Sequence, residues 1–151
     1  MNFTAKLIAT FFGVGLLRPA PGTWGSLAAL PFGIYVLLYA NGVTLAAMSL
    51  IAFVIGVWAS DRYAKSIGGK DPSEVVIDEV AGQWLALAFV QPVWWQLLLA
   101  FVLFRFFDIT KLWLIGRLEK LPGGWGIMAD DMLAGLVAGL LILLSRSFLP
   151  L

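Results

Sequence analysis

The chain has 151 residues, is 61% hydrophobic, carries a net charge of +1 and contains neither cysteine nor histidine. Its mean hydropathy of +0.93 lies well beyond that of an ordinary soluble domain and predicts one membrane-embedded domain, residues 1–151, built as an all-α polytopic bundle. The charge argues against nucleic acid as a partner, and the missing cysteine and histidine exclude disulfides, thiolate chemistry, Cys/His zinc sites and phosphohistidine or phosphocysteine intermediates.

Phe3 to Leu17 is apolar but short for a span; it either lies in the interface or enters part-way. Leu7 to Leu17 imitates the apolar region of a signal peptide. Arg18-Pro19 follows directly, with no Ala-x-Ala site, so the segment is expected to be retained. In Leu17 to Ser26, LRPAPGTWGS, prolines and glycines stop a helix, and Thr23 or Ser26 is expected to cap the next one. A loop and cap is the plainer role. Backbone N–H groups at such a helix start also suit a phosphate, which makes Thr23 a candidate phosphate-binding residue.

Leu27 to Ala40 and Val43 to Ser60 read as a helical hairpin with a neutral tip, Asn41-Gly42. At about 1.5 Å per residue the second arm just crosses a hydrocarbon core. The polar segment Ser60 to Glu79 is broken by Gly68-Gly69 and Pro72, with Ser73 the expected N-cap of the next helix. Asp61, Arg62 and Lys65 read as a solvated helix end. Asp71 sits in the turn that leads to an acidic pair, Asp78-Glu79.

That pair opens the apolar segment Val75 to Val90. Asp78, Gly82 and Ala86 are spaced i, i+4, i+8. A carboxylate thus heads a stripe of small residues, a surface on which another helix backbone can approach closely. Asp131, Gly135 and Gly139 repeat the device. Successive helical residues differ by about 100°, so Asp78 and Glu79 face differently. Either can bind an ion while the other orients a ligand or water. Gln91-Pro92 is a second neutral turn. Val93 to Phe107 then returns towards Arg105, Asp108 and Lys111, which a helix aligns along one side. A glycine loop, Gly123-Gly124-Trp125-Gly126, precedes Asp130, where the last helix is expected to begin and run to about Leu144.

The two neutral tips place the loops near residues 18, 61–79 and 105–131 on one face. That face carries Arg18, Arg62, Lys65, Lys70, Arg105, Lys111, Arg117 and Lys120, with Arg146 opposite, so the positive-inside rule puts it in the cytoplasm. It also brings Asp78, Glu79, Asp108, Asp130 and Asp131 to one depth.

Five carboxylates in one cleft repel each other, and a divalent cation relieves this. With no cysteine or histidine, such a metal is held by oxygen, which favours magnesium, manganese or calcium. These five residues are the candidate metal ligands, and Asp78, Glu79, Asp108 and Asp131 the candidate catalytic groups. Arg105, Lys111, Thr23 and the amide of Gly124 are the candidate phosphate binders. The set suits phosphoryl transfer or hydrolysis, with a metal-activated water as the favoured nucleophile and a carboxylate as base; an aspartyl-phosphate intermediate is the alternative, against which the Asp-x-Asp signature of aspartate-nucleophile phosphatases is missing. The plainer alternative is acid–base pairing at helix ends. It explains any one residue better than it explains the whole set.

PGTWGSLAALPF (Pro21 to Phe32), IDEVAGQW (Ile77 to Trp84), FRFFDITK (Phe104 to Lys111) and GGWGIMADDMLAG (Gly123 to Gly135) occur in this order along nearly the whole chain. In these motifs the chain resembles the phosphatidylglycerophosphatase A family. The resemblance implies hydrolysis of phosphatidylglycerophosphate to phosphatidylglycerol, with magnesium (or manganese as a substitute), among the lipids of the bacterial cytoplasmic membrane. The family usually has Lys-Pro-Trp-Pro-Ile where this chain has Lys111-Leu112-Trp113-Leu114-Ile115. Loss of both prolines predicts that the helix continues past Lys111. Two rival functions remain at this stage. One is an ion transporter or channel, since intramembrane acids mark ion paths. The other is a structural membrane subunit using the Gly135 to Gly139 contact.

Overall fold

In the computed structural model, which describes residues 1–149, every regular element is helical. The order is α1 (Phe3–Ala9), a short 3-10 turn (Val14–Leu16), α2 (Pro21–Tyr39), α3 (Gly42–Ile67), α4 (Ile77–Leu87), α5 (Trp94–Thr110), α6 (Leu114–Leu118) and α7 (Gly124–Ser145). Helices α2, α3 and α7 are long and apolar enough to cross a membrane.

The N-terminal segment does not span. Helix α1 has seven residues, rises about 10 Å, and buries Ala5 and Ala9. The chain then doubles back through Phe11, Phe12 and Gly13, all at positive φ. Helix α2 begins with Pro21 in its first turn, where a missing N–H costs nothing. Neither Thr23 nor Ser26 is therefore a cap; both lie inside the helix, whose N-cap is Ala20. Asn41 ends the hairpin turn and caps α3 by accepting from the Thr44 N–H at 2.8 Å.

Helix α3 continues to Ile67, seven residues beyond the expected Ser60, and stops at Gly68 in the left-handed conformation. Its 26 residues extend about 39 Å, more than a hydrocarbon core, so Asp61, Arg62 and Lys65 emerge at its end. Asp61 accepts from Lys65 at 2.7 Å on an open surface, as a solvated helix end should. Ser73 does not cap α4. Its hydroxyl accepts from Arg18, which also pairs with Glu74 at 3.0 Å, and α4 starts after Val76.

Helix α4 is the hub. It has only 11 residues, nearly all buried, and packs against α2, α3, α5 and α7. Its contact with α7 depends on the small-residue stripes. A Cβ on Gly135 would fall on the Gly82 carbonyl, and one on Gly82 would meet the Asp131 carbonyl and the Phe104 ring at 2.5 Å. Lipid gives apolar helices no reason to associate, so this backbone-to-backbone packing is what holds them.

Side-chain contacts set the register. Ser49 of α3 donates to the Ala81 carbonyl at 2.7 Å, and Gly56 abuts Ile77 and Met128. At the far end, Arg146 donates to the Phe89 carbonyl and to Gln96, at 2.7 and 2.9 Å, near the tip at Gln91. Gly42 of the other neutral tip abuts Ala88. Both neutral tips therefore share one end, and the charged loops share the other.

Candidate active site

Asp78 and Glu79 occupy the first turn of α4, where free N–H groups and the positive end of the helix dipole favour carboxylates. The last helix supplies the next two acids differently from expectation. It begins at Gly124, not Asp130, so Asp130 and Asp131 lie about two turns inside it, roughly 10 Å below its start. Asp131 is 1% exposed and Asp130 3%. One carboxylate oxygen from each of Asp78, Glu79 and Asp131 lies within 4.8 Å of the others. The different helical facings of Asp78 and Glu79 still let both reach Asp131, because α7 packs so closely on the Gly82 stripe.

Helix α5 supplies the cations. The Arg105 guanidinium donates to Asp108 one turn along, lies 3.9 Å from Glu79, and donates to the Thr23 hydroxyl at 3.4 Å. Lys111 donates to Asp130 and lies 3.4 Å from Glu119 and 3.8 Å from Asp108. The helix does not continue past Lys111. It stops at Thr110, and Lys111 caps it with φ 49°, its N–H bonded to the Phe107 carbonyl. Losing the two prolines does not extend the helix, because this turn lets the ammonium reach back to Asp130. Burial alone would lower the pKa of Lys111. The Asp130 carboxylate, with Asp131 and Asp108 behind it, outweighs burial and holds the ammonium well above its ordinary value.

The charges do not balance. Five buried or half-buried carboxylates share two cations, Arg105 and Lys111, which pair with Glu79, Asp108 and Asp130 among them. Asp78 Oδ1, Glu79 Oε2, Asp130 Oδ1 and Asp131 Oδ2 are buried with no partner among the described residues. Orphaned anionic oxygens in apolar surroundings are costly. A dication reached by three carboxylates meets both needs, and an all-oxygen donor set fits magnesium or manganese.

The remaining expected residues divide. Thr23 reaches the site through its hydroxyl; its backbone N–H already bonds the Ala20 carbonyl. Gly124 is buried against α3, where a Cβ would strike the Val57 carbonyl. Its neighbours Gly123 and Gly126 line a separate cleft of about 610 Å³ with Asp61, Lys65, Lys70, Asp71 and Lys120. Glu119 belongs to both regions and was not expected from sequence: it follows a five-residue helix too short to show periodicity. Gln83, fully buried at 0% exposure, went unassigned, and Ser26, equally buried, was expected only as a cap. A lone glutamine one turn beyond Glu79 in an apolar helix was the available signal.

Residues 7–146 match the family described as Phosphatidylglycerophosphatase A. The chain is similar to the Phosphatidylglycerophosphatase A of Haemophilus influenzae, 39% identical over 90% of this chain and 85% of that protein. It is similar to that of Escherichia coli strain K12, 38% identical over 89% and 80%. It is equally similar to a Putative phosphatidylinositol-3-phosphatase of Bacteroides thetaiotaomicron, 39% identical over 96% and 95%. No solved structure matches. Matched over nearly its whole length, the chain belongs to the phosphatidylglycerophosphatase A family.

Proposed function

We propose that the protein hydrolyses the phosphomonoester of phosphatidylglycerophosphate to phosphatidylglycerol and inorganic phosphate, at the surface of a bacterial cytoplasmic membrane. Family membership supports the reaction. The observation that carries the site is the convergence of Asp78, Glu79 and Asp131 from α4 and α7 beside Arg105 and Lys111 of α5.

Asp78, Glu79 and Asp131 would hold a magnesium ion, with Asp108 and Asp130 beside it. A magnesium ion so held supplies an acidified water and neutralises charge on the phosphate oxygens. The protein's own groups do the rest. Arg105 presents a planar fork of donors to the phosphate, and Asp108 fixes that fork by accepting from it. Lys111, kept charged by Asp130, adds a second cation. A carboxylate of the cluster takes the proton of the attacking water as the new P–O bond forms. The ester P–O bond breaks, and the same carboxylate can return that proton to the departing glycerol oxygen. The apolar helices α2, α3 and α7 would leave the lipid's tails in the membrane while its headgroup reaches the charged end.

Purified protein in detergent should release phosphate from phosphatidylglycerophosphate only with magnesium or manganese present. Full turnover after exhaustive EDTA treatment would overturn the metal reading. Because one relative is named for a phosphoinositide, phosphatidylinositol-3-phosphate is the competing substrate. A higher kcat/KM on it would move the assignment within lipid phosphomonoesters. The basic residues at the site end support a cytoplasmic orientation. In this cysteine-free chain, Lys70→Cys should react with an impermeant reagent only from the cytoplasmic side, and Gln91→Cys only from the other.

A further inference from the structure

Gln83 lies one turn beyond Glu79 on α4 and is 0% exposed, as is Ser26 on α2. Neither amide atom of Gln83 has a partner among the described residues, nor does Ser26 Oγ, nor does Glu79 Oε2. Two contacts fix how α2 and α4 face each other. A Cβ on Gly22 would fall on Glu79 Oε1, and farther along Trp84 Nε1 donates to the Ala29 carbonyl at 2.9 Å. The helices therefore run in the same direction. Ser26 is one turn beyond Gly22 and Gln83 one turn beyond Glu79, so both lie in the stretch of the α2–α4 contact that follows Glu79.

Four unpartnered polar atoms in an apolar bundle need a polar occupant. Their full burial favours water over any headgroup group, and a buried water typically makes about three hydrogen bonds. We propose that Ser26, Gln83 and Glu79 share a buried water, and that this seat orients the Glu79 carboxylate towards the metal. The water donates to Glu79 Oε2 and accepts from the Ser26 hydroxyl and from Gln83 Nε2, which gives three of the four atoms a partner. Ser26 and Gln83 are positioning residues, acting on the metal through Glu79.

The inference rests on Glu79 being a metal ligand, as the proposed function has it. Its test therefore measures metal without substrate. Manganese binding to the detergent-solubilised protein is followed by electron paramagnetic resonance, beside the thermal midpoint of the metal-free protein. Losing a partner that orients a metal ligand weakens binding about 10- to 100-fold. Gln83→Leu should show that loss at an unchanged metal-free midpoint. Ser26→Ala should weaken manganese in the same direction, and Ser26→Thr, which keeps the hydroxyl, should restore it. Wild-type manganese affinity in folded Gln83→Leu and Ser26→Ala overturns the positioning role while leaving the metal site standing. Absence of manganese binding in the wild-type protein overturns both. If Gln83→Leu does not fold, the Ser26 pair makes the same comparison.

Discussion

Two groups of charge sit at the same end of the bundle and behave differently. Around the glycine loop, Asp61, Lys65, Lys70, Asp71 and Lys120 line an open cleft, and Asp61 and Lys65 pair in solvent. Between α4 and α7, Asp78, Glu79 and Asp131 are packed among backbone and apolar side chains with oxygens unmatched. Both groups are equally visible as charge in the sequence. What separates them is the cost of being there: water solvates the first group, whereas the second persists against a desolvation penalty. Chemistry is to be sought in the second.

Neutralising the buried acids tests that distinction most severely. Asp78→Asn, Asp108→Asn and Asp131→Asn should each lower turnover by at least ~100-fold, the scale of a lost metal ligand or general base. The amide keeps the shape, so each variant should stay folded in detergent. Variants that lose stability but keep their turnover per folded molecule would make the acids structural pairing partners. A smaller loss is expected for Arg105→Lys. It forfeits at least one charge-assisted hydrogen bond, about 1.5–3 kcal/mol, so kcat/KM should fall roughly tenfold or more; an unchanged kcat/KM would remove Arg105 from phosphate binding.

Gly135→Ala probes the packing that forces the acids together. Its methyl would fall on the Gly82 carbonyl, and overpacking of this kind costs about 1–3 kcal/mol. The thermal midpoint in detergent should drop, and an unchanged midpoint would show that α4 and α7 tolerate separation. The open cleft gives the smallest effect. Asp61→Asn breaks a surface pair of the kind worth about 0–1 kcal/mol and should leave turnover within about twofold. A loss comparable to that of Asp131→Asn would erase the contrast between the two groups.

Spacing made two of the buried acids, Asp78 and Asp131, legible. A carboxylate heading small residues at i+4 and i+8 encodes both a close helix neighbour and a polar group aimed at it, and Gly82 against Gly135 realises this. The neutral tips at Asn41 and Gln91 likewise revealed which loops share an end. Helix boundaries were harder to read. Lys111 ends α5 in a left-handed turn that no glycine marks, and its reach back to Asp130 is a tertiary contact. Glycines at 123–126 looked like a loop, yet all but the first belong to α7, because Gly124 and Gly126 let that helix lie close to neighbouring carbonyls. Ser26 and Gln83 escaped because their significance depends on how two helices face each other.

The short central helix also constrains how the protein is made. Helix α4 is too short to cross a bilayer and opens with two acids, so it has no stable place of its own in lipid. Its partners α2 and α3 precede it, but α5 and α7, which enclose its acidic end, are synthesised afterwards. During biogenesis, residues 77–87 must therefore wait at the membrane surface or in a half-built groove until residue 131 and its glycine stripe have entered. The acidic cluster cannot close before residue 131 is made, and a chain ending before Gly124 holds two of the three candidate spans and lacks both Asp130 and Asp131.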